Sequence, residues 1–394
     1  MIFISSDFEA GNILVLSASS PGDIRVEIET DSNATSYQWF YFRLDGAEGE
    51  PCRISIENAG DAYAGGWDDY QAVASYDQKS WRRVPTCYED GRLIISMTPE
   101  CGQVFIAFFA PYPLQREAAL SKLVTASADT QREVLGRSVD GADIELLNLQ
   151  SRRADALKFW ITARQHPGET MGSWWLEGLV HRLLDELDEQ AVRLRELADI
   201  FIIPNMNPDG CLRGNLRANA AGEDLNLAWP EATLLRSPEA YYVRNRLFQT
   251  GADLVLDAHG TETLSHVFLV GPEGPAGHRD PIRGIVDSFK DALKRANRDF
   301  QTEFGYPTPD PLKANLSITS NYLGETLGCP CVTLEMPFKD SMHNPDPNEG
   351  WSPARCQQLG HDTVAALLDI APELKRVREA WCAPQNKQSY CGQQ

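Results

Sequence analysis

The stretch ALKFWITARQHPGETMGSWWLEGL, residues 156–179, decides the fold class. Residues 156–162 are a mostly apolar run of strand length. A polar loop follows, and a helical run then extends over 171–187. A strand buried on both faces reads as a continuous apolar run, so this strand–loop–helix unit points to a sheet covered by helices. The unit recurs downstream. Residues 198–204, 252–258 and 329–336 predict strands, and residues 237–249, 281–297 and 352–368 predict helices. Ser237 is placed to cap the first of these helices, with Pro238 in its first turn. Alternation of this kind predicts an α/β domain with a mixed, mostly parallel sheet flanked by helices.

Toward the N-terminus the pattern changes. Residues 24–28 and 53–56 alternate apolar and polar, 37–42 are dense in aromatic β-formers, and 93–97 and 104–109 add two more runs. Gly, Asp, Asn and Pro punctuate them. Short strands separated by turn signals predict an antiparallel β-sandwich. The break falls near Pro113, where a helical run over 116–126 begins, followed by a hairpin signal at Asp140-Gly141. The expected organisation is an N-terminal β-sandwich over residues 1–115 and an α/β domain over 116–385.

The chain has 394 residues, 42% hydrophobic and 23% charged, with a formal net charge of −20. That charge argues against a general nucleic-acid binder, which needs a positive surface. The longest apolar runs, such as 104–110, fall far short of the ~20 residues of a membrane span. The opening MIFISSDFEAGN lacks a basic segment followed by a long apolar one, so no secretory signal is expected. Nine scattered cysteines then read as reduced thiols in a cytoplasmic protein, with Cys329 and Cys331 as buried structural thiols.

In an open α/β sheet the chemistry gathers where strands end. Four polar segments lie there: His166-Pro167-Gly168-Glu169, Asn205 to Gly210, Asp257-Ala258-His259-Gly260, and Glu335 within Thr333 to Pro337. His166 and Glu169, three apart on a loop entering a helix, can converge on one cation. His259 from another strand end would complete a three-ligand site with an open position for water. The spacing equally permits two imidazoles that merely hydrogen-bond loop backbone.

The set HPGE, NPDG, GNLR, EDLN, DAHG and LEMPF resembles the zinc carboxypeptidase family, and within it the cytosolic carboxypeptidase subgroup. The subgroup includes enzymes that trim glutamate side chains and tails. YQWFYFR, WRRVPT and IAFFAPYP resemble that subgroup's N-terminal β-sandwich, so the likeness spans nearly the whole chain. It implies one zinc ion held by His166, Glu169 and His259. Glu335 matches the catalytic carboxylate, and Arg217 the arginine that polarises the scissile carbonyl and binds substrate. Asp224 matches the carboxylate that orients His166, and Asn226 a residue that binds the substrate's terminal carboxylate. The family usually places Arg directly after that asparagine, whereas here Leu227 follows. Arg213, Lys313 and Lys339 are the candidate replacements, each otherwise a solvated surface charge.

The implied activity is zinc-dependent removal of C-terminal residues, glutamate included, from peptides or proteins. A zinc amidohydrolase or deacylase acting on a small N-acyl amino acid is the alternative, as is a non-catalytic binding protein on the same fold. The sandwich is expected to cover one side of the active-site entrance. His181, His266, His278, His343 and His361 are set aside as structural, Tyr306 and Tyr322 as packing residues, and Trp174 and Trp175 as core.

Overall fold

A computed structural model of the chain describes residues 2–382. Four strands lie side by side and parallel in the order Ala198–Ile203, Leu157–Ala163, Leu254–Thr261, Cys331–Pro337. Antiparallel strands extend the sheet at both sides. Asp143–Leu149 and Thr130–Arg137 lie beyond the first strand, and Phe268–Val270 beyond the last. The sheet is thus mixed with a parallel centre, and Asp140-Gly141 sits in a hairpin turn, as the sequence predicts. The register matters for chemistry. His259 lies directly opposite Glu335 on adjacent parallel strands.

Helices cover both faces because the central strands are apolar on both faces. On one face Trp160 stacks on Phe201 with ring centroids 5.0 Å apart, in a cluster with Trp229 and Leu247. On the other, Met171–Leu183 crosses the long helix Pro353–Cys382. Two glycines permit that crossing. A Cβ on Gly178 would collide with the carbonyl oxygen of Gln357, and one on Gly360 with that of Trp175.

The N-terminal residues form two five-stranded sheets. All pairings but one are antiparallel. The exception joins Asp23–Glu27 to Cys52–Ile56 in parallel, a direction that alternation cannot reveal because the period of two is the same either way. The hydrophobic core runs from the sandwich into the α/β domain without a break. Phe108 stacks on Phe338 at 4.3 Å. Arg83, from the sandwich, donates to the carbonyls of Phe338 (2.8 Å), Trp351 (3.0 Å) and Gln71 (2.6 Å).

Some elements differ from expectation. The helix predicted over 171–187 ends at Leu183, and a second, Glu189–Leu197, starts where Asp188 caps the amides of Gln190 and Ala191. The helix predicted over 352–368 runs on through Pro372 to Cys382. Residues 37–40 precede their strand, Tyr41–Asp45, in irregular chain that buries Trp39 and Phe40. Ser237 stands at its N-cap, but its hydroxyl accepts from the N–H of Thr233 instead of capping the helix. The sequence boundary at 115/116 falls in the first turn of helix Leu114–Thr125, and the end at 385 lies outside the described residues.

The close helix crossing sets a test. Gly178→Ala is expected to destabilise the chain by about 1–3 kcal/mol through overpacking. A urea midpoint equal to that of the unaltered protein would show that the two helices can part at no cost.

Candidate metal centre and active-site cleft

Each candidate ligand occupies the carboxyl end of a parallel strand. His166 and Glu169 follow Leu157–Ala163, in the loop entering helix Met171–Leu183, and His259 is near the end of Leu254–Thr261. Glu169 bridges the two imidazoles, with Oε1 2.7 Å from Nδ1 of His166 and Oε2 2.8 Å from Nδ1 of His259. The two Nδ1 atoms are 3.2 Å apart. All three residues are buried, and their potential ligand atoms lie within 4.8 Å of one another.

The other face of each ring is committed to a carboxylate. Nε2 of His166 is 3.0 Å from Asp224 Oδ1, and Nε2 of His259 is 2.7 Å from Asp257 Oδ2. Each ring thus meets a carboxylate at both nitrogens, and with a cation taken up at the Nδ1 atoms the remaining proton of each ring would sit on Nε2, held by its aspartate. Two imidazole nitrogens and a carboxylate oxygen form a donor set that suits zinc. Burial disfavours charge on both imidazoles, but the surrounding carboxylates outweigh it and raise their pKa values. Protons and a cation therefore compete for the same lone pairs. Burial also works against ionisation of Glu169, yet His166 and His259 hold its carboxyl below the usual range.

The cluster opens on a cleft of about 530 Å³. Glu335 lines it, and its Oε2 is buried without a hydrogen-bond partner among the described residues. Burial pushes the Glu335 carboxyl well above the usual carboxylate range. His259 opposes the shift, while Glu169, Glu262 and Asp257 add to it. A divalent cation beside it would reverse that balance.

Arg217 and Asn226 also line the cleft. Arg217 donates through Nε to Asp224 Oδ2 (2.7 Å) and through Nη1 to the Tyr63 hydroxyl (3.3 Å). Asn226 Oδ1 accepts the Thr319 N–H at 3.2 Å, and its amide N–H is held by Asp224 at 2.9 Å. Lys313 lines the cleft and has no carboxylate partner among the described residues. The structure does not bring Arg213 there. It ends helix Pro208–Arg213, where Asp140 neutralises it at 2.8 Å. Lys339 is also outside the lining, its Nζ held by the Gly65 carbonyl at 3.0 Å. Leu227 is half-exposed and lies off the lining.

One residue set aside from the sequence belongs here after all. Tyr306 lines the cleft, its ring edge-on to Phe268 at 5.1 Å. Tyr322 packs near Phe248, and His266 stacks on Phe304 at 4.6 Å, both in packing roles. Sequence reading gave no role to Asp257, which it named only within the Asp257–Gly260 segment, and did not single out Glu262 or Tyr63. Asp257 was detectable, since two residues from His259 on a strand is the same face. It also accepts from Thr162 Oγ1 (2.6 Å) and from Gln165. Glu262 is a buried cleft carboxyl raised by burial and by the charge on Glu169, with Arg217 opposing. Tyr63 puts a sandwich side chain on the cleft wall.

No helix among the described residues is long and apolar enough to cross a membrane. Residues 4–109 match the family model for the cytosolic carboxypeptidase N-terminal domain, and residues 117–243 match that for zinc carboxypeptidase. Among solved structures, a metallo-carboxypeptidase from Burkholderia cenocepacia is 41% identical over 94% of this chain and 100% of its own, with a TM-score of 0.92. One from Pseudomonas aeruginosa, in complex with (2-guanidinoethylmercapto)succinic acid, is 42% identical with the same coverage and TM-score. Cytosolic carboxypeptidase 6 of Caenorhabditis elegans is 25% identical over 94% of this chain and 87% of its own length. With a matching sandwich model in front of a matching peptidase model, and full-length likeness to solved metallo-carboxypeptidases, the chain belongs to the zinc carboxypeptidase family, in its cytosolic carboxypeptidase-like subgroup, and is a hydrolase of the metallocarboxypeptidase type.

Proposed function

We propose that this chain is a zinc-dependent carboxypeptidase that removes single C-terminal residues, with a preference for acidic ones, from peptides or proteins in the cytoplasm. The observation that carries the reading is the convergence of His166 Nδ1, Glu169 and His259 Nδ1 beside an unpartnered Glu335 oxygen at one cleft. The chemistry a zinc ion supplies when bound is Lewis acidity, which polarises a carbonyl and brings the pKa of water toward ~7.

The chain's own groups do the rest. Asp224 and Asp257 hold protons on the Nε2 atoms and keep both Nδ1 lone pairs available. Glu335 takes the proton from the attacking water and returns it to the leaving amine nitrogen. The guanidinium of Arg217, steadied by Asp224 and Tyr63, faces the negative charge that develops on the carbonyl oxygen. Asn226 offers its side-chain N–H donors to the terminal carboxylate. Among the described residues Lys313 is a cleft cation without a carboxylate partner, and it supports recognition of an acidic group on the departing residue.

A C-terminal peptide library read by mass spectrometry after incubation with zinc-loaded protein tests the reading. Single-residue loss, strongest for Glu and Asp, is expected. Turnover of N-acyl amino acids in preference to peptides would replace it with a deacylase.

Three variants sharpen the test. Glu335→Gln is expected to retain metal while turnover falls by at least ~10²–10⁴-fold, the range of positioned proton transfer. Unchanged turnover would remove Glu335 from the reaction. His259→Ala should abolish stoichiometric zinc by elemental analysis, and full occupancy would break the ligand assignment. Lys313→Glu should raise KM for Glu-terminated peptides about 10–100-fold with a smaller change in kcat, the signature of lost uniform binding. An unaltered KM would move acid recognition elsewhere.

A further inference from the structure

The loop that carries Arg217 is held from outside its own domain. Asp31, 2% exposed, lies in the sandwich between strands Asp23–Glu27 and Tyr41–Asp45. Its carboxylate accepts three consecutive backbone N–H groups, from Leu216 (2.7 Å), Arg217 (2.7 Å) and Ala218 (2.8 Å). The Ser36 hydroxyl adds a fourth bond at 3.1 Å. Neighbouring sandwich residues grip the same segment. Asn12 Nδ2 donates to the Gly214 carbonyl at 2.9 Å, the Ser32 N–H to Asn215 Oδ1 at 3.1 Å, and Asn33 Nδ2 to the Ala220 carbonyl at 2.8 Å. From the other side, the Gly168 N–H donates to the Leu216 carbonyl at 2.8 Å, which ties this segment to the His166–Glu169 loop.

We propose that Asp31 is a positioning residue for Arg217, so that the sandwich contributes to transition-state stabilisation through the loop it holds. The inference rests on the carboxypeptidase reading for the role of Arg217. Asp31 touches neither the cleft nor any candidate ligand. It acts on the peptide groups that set where the Arg217 side chain starts. Three adjacent amides gathered on one anion define the local backbone, as in an anion-binding nest. Misplacing a charge-stabilising group by about 1 Å is enough to cost ~10²-fold in rate. An ionised carboxylate can serve three donors with two oxygens. The Asn isostere offers one oxygen and turns its NH₂ group against N–H donors, so Asp31→Asn preserves shape while removing the anchor.

The test is a double-mutant cycle on the full-length, zinc-loaded chain, using the best peptide from the library. D31N is expected to lower kcat/KM about 10–100-fold, mainly in kcat, with zinc content unchanged. In an Arg217→Ala background, D31N should change kcat/KM less than about 3-fold, because the group it positions is gone. Equal losses in both backgrounds, or no loss in the first, would overturn the proposal. Hydrogen exchange supplies a readout independent of turnover. Amides 216–218 should exchange at least about 10-fold faster in D31N, while those of strand Leu254–Thr261 keep their protection. Unaltered exchange at 216–218 would also overturn it. Asp31→Ser, which leaves room for water at the three amides, carries the same measurements should D31N fail to fold. A wild-type chain inert toward every peptide would sink the carboxypeptidase reading, and the exchange arm would still decide whether Asp31 holds the loop.

Discussion

Two carboxylate–imidazole contacts govern this cleft. Asp224 on His166 and Asp257 on His259 fix how each ring is turned, so that the opposite nitrogens face Glu169. Each contact is locked in turn. Asp224 also holds Arg217 and the backbone N–H of Asn226, which couples the placement of a candidate ligand, a cation and a polar residue to one side chain. Asp257 is braced by Thr162 across the parallel pair and by Gln165, whose own carbonyl oxygen accepts from the Trp229 indole at 2.7 Å. A buried network of this density is stable only when each member is satisfied, and beside it Glu335 Oε2 is buried with no hydrogen-bond partner among the described residues.

The sandwich is built into the catalytic unit. One apolar core serves both, Arg83 stitches the sandwich to the chain after the Glu335 strand, and Tyr63 reaches the cleft wall. Domains joined by small polar surfaces move relative to one another. Here the join contains stacked aromatic rings and a guanidinium shared among main-chain carbonyls, which favours a single working geometry.

Much of this was legible in the sequence, for identifiable reasons. Apolar runs of strand length marked the central sheet because strands buried on both faces have no alternative pattern. His166 with Glu169, His259 and Glu335 stood out because each lies in a polar segment at a strand end and because the motifs, short singly, are specific as a set. Features set by pairing across long separations were not legible. The parallel pairing of Asp23–Glu27 with Cys52–Ile56 leaves no trace in alternation. Helix Thr319–Leu327, which carries Ser320 and Asn321 into the cleft, hides behind glycine, threonine and asparagine of low helical propensity. Tyr306 sits in irregular chain, so neither periodicity nor motif marks it. Asp31 is an ordinary loop aspartate until the segment near Arg217 arrives, 185 to 187 positions later.

The Arg83 contact to Phe338 spans 255 positions. During synthesis the sandwich emerges from the ribosome first and must wait for most of the remaining chain before Phe338 can cover Phe108. Throughout that interval the nascent protein presents an aromatic face and a cation that lacks two of its carbonyl partners, Phe338 and Trp351. Such a face is a natural substrate for chaperones and a hazard for truncated translation products.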